Sequence, residues 1–317
     1  MKKGYFKFAY KLLILLAIMF VVDRVGGSIM AYYFEKEPQG DAAAFSHAIE
    51  NPKEDILIYG SSRAMHTYDP RVFRKELGLS CFNCGRNAST IIYHAAILPS
   101  ALDRQGPPPQ AIVLDITPKE LSWRGGEDGN DILASMILPY VNKNKNFERL
   151  ANDLFPRELI KAKVSKLYPY NSMILSIIRN YSSQSSYNIA GYVPLFGTKA
   201  SRQPISLNLN AEVDDYAKDK FEFFIREITK RHIPLYVIIS PAYVNPAPDT
   251  KSEIVTKEIL ARYNVPLWDF SVDTLFRKRK YFYDNVHLNE KGAAVFSEYI
   301  ARLIKDSMQK DRYGVRQ

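Results

Sequence analysis

The sequence predicts an α/β protein: a three-layer α/β/α sandwich around a parallel sheet, interrupted by a mostly helical insertion. Three observations carry this reading. Short apolar runs bounded by turn residues recur at 55–59, 80–84, 111–116, 233–240 and 265–270, and such runs read as buried strands. Helical segments separate them, and strand–helix–strand alternation specifies a parallel sheet with helices on both faces. The rhythm stops at Leu121 and resumes after Leu207, which marks an insertion.

Taken in order, the N-terminus comes first. Lys2, Lys3, Lys7 and Lys11 precede the apolar run 12–22; Asp23 and Arg24 interrupt it, and 25–34 is largely apolar again. A basic flank ahead of an apolar stretch places the N-terminus in the cytoplasm. The first run alone is short for a span. With Asp23 and Arg24 paired or snorkelling, 8–33 is expected to cross as one helix and remain uncleaved, with Gly26-Gly27-Ser28 the weaker alternative as a cleavage site. The bulk of the chain is then extracytoplasmic. The expected organisation is an anchor at 1–34, a connector at 35–53 with a short helix at 41–49, a domain at 54–310 carrying the insertion 121–207, and a tail at 311–317.

Within that domain, Asp69 and Pro70 open a helix at 70–77 as N-cap and first residue. Further helices are expected at 89–102, 212–231, 252–263 and 289–308. In the insertion, helical patches fall near 131–138, 146–154 and 159–167, and Tyr and Ser are dense over 168–192. Long segments outside the core are often lids or binding loops, so the insertion is read either as a cap on the substrate edge of the sheet or as a structural subdomain without substrate contact.

Composition narrows the function. The 317 residues are 46% hydrophobic and 24% charged, which excludes global disorder. The net charge of +9 comes with no nucleic-acid motif, and it suits a solvated surface, anionic headgroups or a polyanionic glycan. The only cysteines, Cys81 and Cys84, sit at a strand end and read as two buried thiols; no His pair joins them as zinc ligands.

Two segments carry chemistry. Gly60-Ser61-Ser62-Arg63 follows the first strand, at the sheet edge where α/β proteins bind ligands. A small turn there lets a hydroxyl project and leaves N–H groups facing an anion. Asp284-Asn285-Val286-His287-Leu288-Asn289 precedes the last helix. An Asp three residues before a His on a loop can fix the imidazole tautomer, leaving the other nitrogen to take a serine proton. His47, His94 and His232 are isolated; Asp115 and Asp269, at strand ends, are weaker choices for the acid.

Together these segments resemble the SGNH (GDSL-like) hydrolase superfamily, over about 54–117 and 221–304. Gly60-Ser61-Ser62 is similar to its opening motif and Asp284-x-x-His287-Leu288-Asn289 to its closing one. The resemblance implies a flavodoxin-like sheet, Ser62 as nucleophile, His287 as base and Asp284 as its orienting acid, with Ser61 in the family's Asp position. Asn83-Cys84-Gly85-Arg86-Asn87-Ala88 is similar to the second motif and implies oxyanion donors at Ser62 and Ala88. The family's third motif, Gly-x-Asn-Asp, has an Asn that is absent from 115–120, so the third oxyanion donor is expected to be missing or supplied elsewhere, by Asn87 or Arg63. Substrate contacts are expected at Arg63, Gly85, Asn87 and His66. The implied chemistry needs no metal or organic cofactor.

The anchored architecture looks like the membrane-bound proteins of envelope polymer acylation, such as teichoic-acid D-alanylation and alginate O-acetylation. That implies a single-pass protein of the bacterial cytoplasmic membrane and an envelope polysaccharide or acylated glycan as partner, beside a polytopic membrane acyltransferase. A purely hydrolytic carbohydrate esterase and a silent domain that binds glycan or such a partner are the alternatives.

Overall fold

The computed structural model describes residues 2–38, 40–50, 52–122, 126–182, 188–207 and 212–312. Five strands form one all-parallel sheet: β1 (Ile56–Gly60), β2 (Cys81–Asn83), β3 (Ala111–Asp115), β4 (Leu235–Ile239) and β5 (Leu267–Asp269). Their order is β2-β1-β3-β4-β5, the doubly wound 2-1-3-4-5 arrangement. β1 is therefore flanked by both β2 and β3, in register Ile56 with Cys81 and Gly60 with Asp115. The carboxyl end of β1 is the topological switch point, where such sheets open a crevice.

Twelve α-helices complete the described residues: α1 (Lys2–Glu35), α2 (Gly40–Glu50), α3 (Ser62–Thr67), α4 (Pro70–Leu77), α5 (Ile91–Leu102), α6 (Gly126–Ile137), α7 (Lys145–Leu154), α8 (Pro156–Val164), α9 (Ile174–Ser182), α10 (Asp215–Thr229), α11 (Lys251–Arg262) and α12 (Glu290–Arg312). α4 starts as its sequence demands: the Asp69 carboxylate accepts from Arg71 N–H at 2.9 Å, and Pro70 takes the first helical position. The short α3, beginning at Ser62, was not expected from sequence.

Alternation along the strands divides the core in two. Ile56, Ile58, Val113 and Ile238 face one side, packed with Tyr68, Phe73 of α4, and Phe296, Ile300 and Ile304 of α12. Tyr59 faces the other side, its ring 5.4 Å from Phe224 of α10 and 5.9 Å from His94 of α5. Helices on both faces of a parallel sheet make the three-layer α/β/α sandwich. Cys81 and Cys84 are both buried and free, and burial raises both thiol pKa values.

The chain divides into two compact units. Met1–Ala43 joins Asn130–Ser186, and Ala44–Gly129 joins Tyr187–Gln317. The expected insertion, 121–207, is thus narrower than its sequence suggests. Its helices share a unit with α1: Phe34 packs edge-on to Tyr140 and near Tyr170, and Asn180 donates to Glu37. Residues 188–207 belong instead with the sheet, as a strap described below. α1 is long and apolar enough to cross a membrane.

His94 is fully enclosed, with Nε2 3.0 Å from Ser89 Oγ. Burial pushes its imidazole down to about 3, from an ordinary value of 6.5. The folded ring therefore stays neutral while the unfolded ring binds a proton below pH 6.5. Stability from this group is full above that pH and lost as pH falls. Glu120 shifts in the opposite sense, so the effect is isolated by comparing variants. Between pH 7.5 and 5 the wild type is expected to lose about 2 kcal/mol more than His94→Gln. Urea midpoints of the detergent-solubilised chain at the two pH values check this; equal losses would contradict it.

Candidate active site

β1 ends at Gly60, where the backbone turns with φ +147°, and a Cβ there would meet Asp115 O at 2.6 Å and Ala64 Cβ at 2.8 Å. Only glycine fits that approach of β1 to β3. Ser61 then caps α3, its hydroxyl accepting from Arg63 N–H at 3.4 Å. Ser62 is the first residue of α3, so its N–H has no intrahelical acceptor. Capping thus aims one hydroxyl inward and leaves the next free.

The loop after β5 brings the second group. Asn289 is buried and accepts from Lys291 and Gly292 N–H at 3.1 and 3.0 Å, capping α12. Its amide donates to Lys280 O at 2.9 Å and Gly197 O at 3.0 Å, which fixes the loop behind it. On that loop His287 Nδ1 lies 2.9 Å from Asp284 Oδ2 and 3.1 Å from Oδ1. His287 Nε2 lies 2.8 Å from Ser62 Oγ. The three residues singled out in the sequence therefore form one continuous hydrogen-bonded chain.

Burial opposes the charge on Asp284, but the hydrogen bond and electrostatic attraction of the His287 ring and the Val286 and His287 N–H groups outweigh it. They hold the carboxyl at about 2. An ionised Asp284 accepts from Nδ1–H, so Nε2 presents its lone pair to the serine hydroxyl.

The hydroxyl opens onto a cleft of about 390 Å³ lined by Ser61, Ser62, Ala88, Ser89, Thr90, Thr117, Lys119, Glu120 and Ser122. Ala88 sits in the left-handed region at φ +57°, a conformation that costs a non-glycine residue on the order of 1 kcal/mol. Among the described residues neither Ser62 nor Ala88 N–H meets a backbone acceptor. Two unpaired N–H groups on one cleft with an activated hydroxyl can stabilise a developing oxyanion.

The remaining expected site residues divide. His66 is buried, donates from Nδ1 to Val193 O at 2.7 Å, and lies 3.2 Å through Nε2 from Asn87 Oδ1. Its ring meets that of His287 edge-on at 5.5 Å. Asn87, exposed beside Ala88, is thereby held at the rim. Gly85 is buried and donates to Asn83 Oδ1 at 2.9 Å, a structural bond. Arg63 is turned away: its Nε donates to Ser240 Oγ at 3.1 Å and its Nη2 to Ser240 O, at the end of β4. It lines a separate cavity of about 160 Å³ with Leu207, Val244, Pro246 and Val286.

Asp115 accepts from Tyr68 at 2.6 Å and Asp269 from Ser271 N–H at 2.8 Å, so neither takes the place of Asp284 beside His287. Burial lifts the Asp115 carboxyl above its ordinary value, against the nearby Arg63 charge.

Two features escaped the sequence reading. Glu120 is buried beside the cleft, accepting from Ile91 N–H at 2.8 Å and Thr117 N–H at 3.1 Å. It caps α5, whose own Thr90 makes no side-chain cap bond. Burial pushes its carboxyl up to about 7 against those bonds. A buried carboxyl therefore follows β3 beside the cleft. The second feature is the strap 188–207. Ala190 O accepts from Asn83, Val193 N–H donates to Met65 O, and Lys199 N–H donates to Tyr283 O. Asn285 is clamped between Ser201 Oγ at 2.6 Å and Tyr243 O at 3.1 Å.

Comparison of the chain with models of known protein families and with curated protein sequences finds no match, so the chemistry rests on the site's own geometry.

Proposed function

We propose that this protein is a serine-dependent acyl-transferring enzyme of the SGNH type, acting on an ester of a cell-envelope carbohydrate. The observation that carries the reading is the unbroken Ser62–His287–Asp284 chain, at 2.8 and 2.9 Å, on a cleft with two unpaired N–H groups. Ser62 Oγ attacks the acyl carbon as His287 Nε2 takes the hydroxyl proton. The carbonyl oxygen gains negative charge facing the N–H groups of Ser62 and Ala88. The C–O bond to the leaving alcohol then breaks, and His287 returns the proton to that alcohol. The acyl-Ser62 ester passes to a second hydroxyl, of a sugar or of water, which gives its proton to His287 and so back to Ser62.

Six hydroxyl side chains and Lys119 line the cleft, a surface suited to a polar, hydroxylated substrate. The lysines in the first turns of α1 favour an N-terminus in the cytoplasm of a bacterium and a site outside it, within reach of envelope polymers. A polytopic membrane acyltransferase as donor partner belongs to the same reading. The acceptor carboxyl of Glu120 beside the cleft favours a second one, a silent domain that binds glycan.

Labelling with a fluorophosphonate probe separates the two. The wild type is expected to label and both Ser62→Ala and His287→Ala to stay dark. A folded wild type that does not label would favour the silent domain.

A further inference from the structure

The polar break in α1 has a partner. Among the described residues, Asp23 accepts from the Lys166 N–H at 3.0 Å, the Leu167 N–H at 3.3 Å and the Ser165 hydroxyl. Arg24 donates to Val164 O, at the end of α8. A Cβ on Gly27 would overlap the Lys166 backbone, so glycine permits the contact. The loop 165–167 is thus seated on α1 at the level of 23–27, with the Lys166 side chain exposed. Irregular backbone and an exposed lysine do not lie in hydrocarbon facing lipid.

Below that level α1 is bare. Its apolar side chains from Tyr5 to Val22 are exposed. The 19 residues from Gly4 to Val22 rise about 28 Å, close to the thickness of a bilayer core. Lys7 and Lys11 fall in the first half of this stretch, where long apolar stems allow lysines to snorkel toward the headgroups.

α8 leaves a second mark at the same level. Ile160 and Val164, four residues apart on one helical face, are 61% and 66% exposed. Arg157, Lys161, Lys163 and Lys166 surround them, all exposed. Lys161 and Lys163 pair with Glu158 and Glu148, whereas Arg157 and Lys166 have no ion pair among the described residues. Exposed apolar residues ringed by cations are the composition of a helix lying in a membrane interface.

We infer that the membrane-spanning part of α1 ends at Asp23 and that α8 rests its Ile160–Val164 face on an anionic phospholipid surface there. The remainder of α1 is then a stalk outside the bilayer, packed against the insertion through Gly27 and Phe34 while Val25, Ile29, Tyr32 and Tyr33 stay exposed. The inference uses only the membrane-anchoring part of the proposed function and none of its chemistry.

The test is depth-dependent quenching of an environment-sensitive dye. Single cysteines replace Ile14, Ile29, Tyr32, Ile160 or Val164 in the full chain, whose native cysteines are buried. Each is labelled with NBD in nanodiscs of phosphatidylcholine with or without phosphatidylglycerol. Dye at Ile14 is expected to be quenched by lipids carrying a deep nitroxide. Dye at Val164 and Ile160 is expected to be blue-shifted and quenched by a headgroup-level nitroxide. Dye at Tyr32 is expected to emit as in water. Replacing Arg157, Lys161, Lys163 and Lys166 together by Gln is expected to reduce the Val164 quenching only where phosphatidylglycerol is present.

Deep quenching at Ile29 and Tyr32 as strong as at Ile14 would place the whole helix in the bilayer and overturn the boundary. Water-like emission at Val164 with quenching intact at Ile14 would overturn the docking of α8 alone. Loss of quenching at Ile14 would overturn the anchor itself.

Discussion

Ser62→Ala is expected to reduce turnover of a neutral ester such as 4-nitrophenyl acetate by up to about 10⁶-fold. The size follows from how the site is built. Ser62 Oγ is the hydroxyl at 2.8 Å from His287 Nε2. Its neighbour Ser61 cannot substitute, because that hydroxyl accepts from Arg63 N–H as the cap of α3. Removing Oγ therefore leaves the base with nothing to deprotonate except water. His287→Ala is expected to cost about as much, since a nucleophile and its base act as one unit and their losses do not add. Steady-state kinetics on the two single variants and the double variant check this. A Ser62→Ala protein that keeps wild-type turnover would place the nucleophile elsewhere.

The second large effect is at Asp284. Asp284→Asn is expected to lower kcat by about 10³- to 10⁴-fold with little change in KM. The carboxylate accepts from Nδ1–H, which leaves Nε2 unprotonated toward Ser62. An asparagine can present its NH₂ instead, favouring the tautomer with the proton on Nε2, where it blocks proton transfer from serine. Held at about 2, Asp284 stays ionised from pH 5 to 9, so it should contribute no limb to the wild-type rate profile in that range. A wild-type acid limb there that persists unchanged in the Asn variant, with kcat reduced less than ten-fold, would remove Asp284 from its role.

The strands and the residues of this hydrogen-bonded chain were legible because they depend on local pattern. Runs such as 56–59 and 111–114 are buried on both faces and read as continuous apolar segments. Asp69 and Pro70 announce α4 by capping chemistry alone. What escaped depends on partners distant in sequence. Ala88 adopts positive φ because the turn closes over β1, where Arg86 N–H donates to Gly60 O at 3.0 Å. Glu120 reads as an ordinary surface acid until α5, 29 residues earlier, offers it the Ile91 N–H. The strap 188–207 has little periodicity of its own, and its order comes from the loops it bonds. That the insertion helices share a unit with α1 was not legible either, because their apolar faces carry no label for what they cover.

The distance along the chain between Ser62 and His287 has a consequence for biosynthesis. The two are 225 residues apart, and α12 is stapled to the start of α4 through Ser297, whose hydroxyl accepts from Asp69 N–H and donates to Thr67 O. While the polypeptide is still being made, its serine has no base and the α3–α4 turn lacks its staple. On the proposed reading, the serine therefore meets its base only when the last helix docks. On that reading, a product terminated before Asp284 is expected to be chemically mute.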